Sequence, residues 1–112
     1  MEKDQIERMT REYNMLQEQL QALAIQKEQF SEKTEEYDEA LKEIQKATGK
    51  IYLAVGGAII EVDKQYATKG IEEKKEVASM RIGIVKKQYD DLSKKEQTLR
   101  AEINSALKEL KG

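Results

Sequence analysis

Proline, cysteine, histidine and tryptophan are all missing from this sequence of 112 residues. Without proline no backbone amide donor is lost and no kink is forced, so long uninterrupted helices meet no obstacle. Without cysteine there is no disulfide framework and no thiolate nucleophile, which is compatible with a reducing compartment. The absence of both histidine and cysteine also strips out the commonest general bases and metal ligands. Aromatics amount to only 5% of the chain. Long apolar runs are scarce too. The longest, Ile51–Ile60, is too short to span a bilayer, and its glycines suit a turn. No stretch reads as a signal peptide, so a soluble, cytoplasmic protein with no membrane association is expected.

What is present is charge, at 38% of residues, equalled by 38% hydrophobic residues. Abundant Glu, Lys, Gln and Leu match a coiled coil better than a globule. The length allows one domain, spanning 1–112. A net charge of −2 lies too near balance to indicate nucleic-acid binding. Its distribution is more telling: residues 1–46 carry −5, residues 47–68 are neutral, and residues 69–112 carry +3. An acidic first arm and a basic second arm attract each other side by side. Each exposed pair adds only about 0–1 kcal/mol and is screened by salt.

The first arm, 1–48, carries apolar residues at Ile6, Met9, Tyr13, Leu16, Leu20, Leu23, Phe30, Tyr37, Leu41 and Ile44. The spacing alternates three and four, interrupted only by Lys27 and Thr34, which are most simply polar residues that set register. That period puts all of them on one seam of a helix wound around a partner. Thr48-Gly49 closes the arm, glycine past a helix end being the usual left-handed stop. The second arm, 68–111, repeats the pattern at Ile71, Ala78, Ile82, Val85, Tyr89, Leu92, Leu99, Ile103, Ala106 and Leu110, with Lys75 and Glu96 as polar breaks. Thr68 is its candidate cap, with Glu72 and Glu73 in the first turn answering the helix dipole. Asp63–Lys69 reads as loop or as a first helical turn. Gly83 inside this helix costs about 1 kcal/mol relative to alanine. Two such arms in one chain predict an antiparallel intramolecular coiled coil. Two registers are open. Residue numbers summing to about 116 across the seam set Leu16 opposite Leu99 and Tyr13 opposite Ile103, whereas a slip of one heptad sets Lys27 opposite Glu96.

Between the arms lies a different stretch, 49–63, crowded with β-branched residues around Gly56-Gly57. Two strand-like runs flanking a Gly-Gly pair predict a β-hairpin with a tight primed turn. Both faces are apolar: Ile51, Leu53 and Val55 on one, Tyr52, Ala54 and Ile59 on the other. A lone two-stranded hairpin is marginal in water and leaves both edges unpaired. Closure with hairpins of other chains into a barrel buries edges and faces together. The expected fold class is therefore mainly α: a long two-helix antiparallel coiled coil joined by a hairpin that assembles into an intersubunit β-barrel. The oligomerisation residues are Ile51, Tyr52, Leu53, Val55, Gly56, Gly57, Ile59, Ile60 and Val62.

The block Ile51-Tyr52-Leu53-Ala54-Val55-Gly56-Gly57-Ala58-Ile59-Ile60 is similar to the tyrosine, valine-glycine and aliphatic pattern of prefoldins. With its two arms, nearly the whole sequence resembles that family. One hairpin rather than two resembles the β class of subunit, and the size an archaeal one. The resemblance implies a chaperone hetero-hexamer of α-type and further β-type subunits, a double barrel with protruding coiled coils, and delivery of unfolded polypeptide to a group II chaperonin. It implies no cofactor.

The arm tips hold apolar residues off the seam as well as on it. Candidate client-binding residues are Ile6, Met9, Tyr13, Met15, Leu16, Leu99, Ile103, Leu107 and Leu110, with Ile25 nearby; each seam member doubles as ordinary coiled-coil core. Seam residues at a fraying end open easily. Flexible methionines, Met1, Met9 and Met15, suit promiscuous contacts. The resemblance implies that Lys108 and Lys111 contact an acidic chaperonin surface; the simpler reading of either lysine is a solvated helix terminus answering its dipole. Glu35-Glu36-Tyr37-Asp38-Glu39 and Tyr89-Asp90-Asp91 lack a coordinating loop and read as solvated faces rather than metal sites. Gly56-Gly57 sits in a hairpin and is no nucleotide fingerprint. Catalysis is not expected. The rival readings are a structural coiled-coil tether with one defined protein partner and, third, a nucleic-acid-binding coiled coil using the basic arm.

Overall fold

The computed structural model describes residues 2–111, in the order α1 (Lys3–Lys46), β1 (Ile51–Val55), β2 (Ala58–Val62) and α2 (Lys64–Lys111). Two long helices with a hairpin between them is the fold class expected from the sequence. Contacts separate two compact units. One comprises the chain up to Lys27 together with that from Ile84 onward; the other is Glu28–Gly83.

In the first unit the buried apolar side chains are Ile6, Leu16 and Leu20 of α1 with Val85, Leu99 and Ala106 of α2. Met9, Tyr13, Leu23, Leu92 and Ile103 are half-buried beside them. All are members of the three–four series, so the seam is real here. Burial of one such leucine is worth roughly 1.5–3 kcal/mol. The helices run antiparallel: Gln17 meets Glu96, while farther along α1 Ala22 and Leu23 share a groove with Gln88 and Leu92. That pairing lies closer to the register setting Leu16 near Leu99. Lys27 is exposed rather than opposite Glu96.

The second unit holds the hairpin and the helical stretches that flank it. Phe30, Thr34, Tyr37, Leu41 and Ile44 of α1 are half-buried, as are Ile71, Lys75 and Ile82 of α2; Ala67 and Ala78 are buried. Lys75, a polar break in the seam, forms an ion pair with Asp38. Arg81 sets its guanidinium 5.8 Å from the Phe30 ring centroid, within reach of a cation–π attraction.

The helix ends differ from expectation in three ways. Helix α2 begins at Lys64, not at 68. Asp63 is its cap, accepting a 2.6 Å hydrogen bond from the Tyr66 amide at the side-chain Oδ1. Thr68 lies inside the helix and donates its hydroxyl to the Lys64 carbonyl at 2.8 Å, so Glu72 and Glu73 fall beyond the first turn. Nor does Gly49 make a left-handed stop, since Gly56 alone among the described residues has positive φ. Lys64 supplies the alternative, donating its ammonium to the carbonyl of Gln45 at 2.8 Å at the end of α1. A cation from the next helix thus satisfies an orphan carbonyl and complements the α1 dipole.

The strands pair antiparallel from Ile51 opposite Val62 to Val55 opposite Ala58. Gly56 at φ +59° leads the two-residue turn. Positive φ at the first central residue alone matches the type II′ hairpin turn, where glycine is required.

Candidate functional site

Two places hold the residues singled out in the sequence. The first is the hairpin. Its register puts Ile51, Leu53, Val55, Ala58, Ile60 and Val62 on one face and Tyr52, Ala54, Ile59 and Glu61 on the other, because side chains alternate along a strand. Neither face is closed. Tyr52, Val55 and Ile60 are exposed, and Ile59 is 77% exposed. Ile51, Leu53 and Val62 are only half-buried. Exposed Tyr66, from the first turns of α2, shares a shallow hollow with Leu53, Val55, Ile60 and Val62. Tyr66 belongs with the hairpin residues although the sequence reading passed over it; the missed signal is an aromatic placed four residues after the last strand residue. Lys50 pairs with Glu61 at 3.8 Å, both exposed.

The second place is the end of the first unit. Ile6, Leu16 and Leu99 are buried there, and Met9, Tyr13 and Ile103 are half-buried. Met15 stands 61% exposed, with Leu107 and Leu110 also exposed. Leu110 departs from its expected seam position. Tyr89 is likewise exposed rather than within the seam. Ile25 is exposed on α1. Met1 lies outside the described residues. Lys108 and Lys111 occupy the last turn of α2, both exposed. The tip thus presents a closed seam flanked by a few open apolar side chains. In the second unit Val77 and Met80 of α2 are exposed as well, off the seam as their spacing from Lys75 and Ala78 indicates.

Among the described residues no three His, Cys, Asp or Glu side chains are placed to hold a metal ion. In the acidic run of α1, Asp38 pairs with Lys75 and Glu36 with Lys33. Among these residues no helix is long and apolar enough to cross a membrane.

The family described as prefoldin subunit matches residues 7–110. The chain belongs to the prefoldin subunit family. It is 31% identical over 102 residues to a prefoldin subunit beta of Pyrobaculum islandicum, with 89% of this chain and 82% of the relative aligned. Identity to the prefoldin subunit beta of Pyrobaculum calidifontis is 28% over the same shares. Its fold superposes on the crystal structure of the prefoldin beta subunit from Thermococcus strain KS-1 with a TM-score of 0.86, at 30% identity and 92% coverage of both chains. The beta2 subunit from the same strain gives a TM-score of 0.71 at 23% identity, covering 80% of this chain and 97% of that one, a likeness of fold. These matches support the β class of prefoldin. Prefoldin subunits are non-enzymatic chaperone subunits, and those of the β class act in multi-subunit prefoldin complexes.

Proposed function

We propose that this chain is one subunit of an ATP-independent holdase, which captures unfolded polypeptide at its coiled-coil tips and passes it to a group II chaperonin in the cytoplasm. The observation that carries the assembly half of this reading is the hairpin, apolar on both faces and open on both. Neighbouring hairpins, from an α-type subunit and further β-type copies in a hetero-hexamer, close it into a barrel. Ile51, Tyr52, Leu53, Val55, Ile59, Ile60 and Val62 furnish the apolar surface, and Gly56-Gly57 the turn. Capture falls to Ile6, Met9, Tyr13, Met15, Leu16, Leu99, Ile103, Leu107 and Leu110. Individually weak contacts at several tips add through avidity. Lys108 and Lys111 face the chaperonin. Light scattering by a denatured client tests the reading. The assembled complex, at stoichiometric amounts and without ATP, suppresses aggregation; a complex that leaves the scattering curve unchanged is no holdase. A complex lacking about one heptad from each tip assembles but no longer suppresses it.

A further inference from the structure

One buried group in the first unit has no part in the reading above. Glu96 is only 7% exposed, on the α2 seam between Leu92 and Leu99 where the pattern calls for an apolar residue. Its partners are modest. Gln17 donates its amide to Glu96 Oε1 at 3.3 Å, and the Arg100 guanidinium Nε stands 3.7 Å from the same oxygen. Gln17 also donates to the Tyr13 hydroxyl at 3.0 Å. The result is a polar rung across the coiled coil, built from Tyr13, Gln17, Glu96 and Arg100.

The position of this rung matters more than its chemistry. Every proposed client-binding residue of α1 precedes Gln17, and every one of α2 follows Glu96. Leu20, Leu23, Val85 and Leu92 lie on its other side. Cooperative burial passes along a coiled coil through adjoining apolar rungs. A carboxylate in the seam interrupts that continuity, because its desolvation offsets much of what its partners return. Segments joined only through such a rung open separately, in the manner of neighbouring foldons.

We propose that the Gln17–Glu96 rung is the boundary of an opening segment: the seam beyond it parts as a unit, while the seam inside it stays closed. Ile6, Leu16 and Leu99, buried in the closed seam, are then released together to meet client. This rests on the holdase reading and names the residue that makes buried tip residues available. Glu96 acts through the seam and is a positioning residue.

The test is Glu96→Leu, with Glu96→Gln beside it, in the assembled complex, read by native-state hydrogen exchange and by client capture. In the wild type, amides of residues 3–16 and 97–111 exchange faster than those of 18–26 and 85–95, with the step at the rung. Glu96→Leu makes the seam continuous, removes the step by slowing exchange of the outer segment about tenfold or more, and lowers capture in proportion. Glu96→Gln keeps a hydrogen-bonding partner for Gln17 and keeps the step. A wild-type profile without a step at Gln17 and Glu96 overturns the proposal. So does a Glu96→Leu complex whose outer segment exchanges as before, or one whose outer segment is protected yet captures client undiminished. A wild-type complex that captures nothing removes the holdase reading, and the exchange step alone then decides whether the rung bounds an opening segment.

Discussion

The helices and the hairpin use apolar residues in opposite ways. Along α1 and α2 the three–four spacing gathers them on one stripe, and within each unit the stripe of one helix is covered by the other. Leu16, Leu20, Val85 and Leu99 reach the burial of a globular core without leaving the chain. In the hairpin the period of two sends apolar residues to both faces, six to one and three to the other, and no element of the same chain closes over either. Tyr52, Val55, Ile59 and Ile60 remain open. Hydrophobic density is highest where burial is least. A chain so built is complete in its helices and incomplete in its sheet, which is the physical reason to look for neighbours at the hairpin.

Breaking each side separately sharpens the contrast. The largest effect is expected from Ile59→Lys. On a solvent-exposed face it changes almost nothing in the isolated chain. Inside a barrel it leaves an unpaired buried charge, costing about 3–5 kcal/mol per subunit. Circular dichroism then reports unchanged helix content while light scattering reports loss of the complex. A variant that assembles normally removes Ile59 from any interface. Leu20→Ala does the reverse. It opens a vacancy in the seam of the first unit and costs about 2–5 kcal/mol, toward the lower end because two helices close onto a gap readily. Thermal melting drops, while the hairpin's capacity to associate is untouched.

The seam was legible, except at Tyr89 and Leu110, because its signal is local: the spacing of Ile6 through Ile44 and of Ile71 through Ile103 needs no knowledge of the partner. The hairpin was legible for the same reason, through Gly56-Gly57 and the β-branched residues around it. Contacts between distant residues were not. That Lys64 would reach back to the Gln45 carbonyl, that Lys75 would find Asp38, or that Gln17 would meet Glu96 depends on the register, and either of two registers satisfied the spacing. The start of α2 was misread for another reason. Thr68 followed by Glu72 and Glu73 imitates a helix entry, whereas the operative cap, Asp63, is disguised by standing directly against β2.

That cap separates hairpin from helix, and Asp63→Ala measures how sharply. The substitution deprives the Tyr66 amide of its acceptor and costs about 0.5–2 kcal/mol. The first turn of α2 frays, Tyr66 loses its fixed place beside Leu53 and Ile60, and hydrogen exchange at residues 64–68 accelerates. Asn at this position retains the acceptor and the wild-type rate. Equal fraying in Asp63→Asn assigns the effect to charge rather than to the hydrogen bond.

The smallest effect is expected at Lys75. It occupies a seam position as Glu96 does, yet its side chain is 39% exposed and that of its partner Asp38 44% exposed, so water screens the pair. Asp38→Asn therefore lowers stability by only about 0–1 kcal/mol at low salt. At 1 M salt the Debye length is about 3 Å and the difference from wild type disappears. The comparison with Glu96 is then direct: two charged residues interrupt one apolar stripe, one screened and one buried. If Asp38→Asn instead costs more than about 2 kcal/mol and salt leaves that cost in place, Lys75 is as dry as Glu96, and exposure has failed to distinguish the two polar breaks.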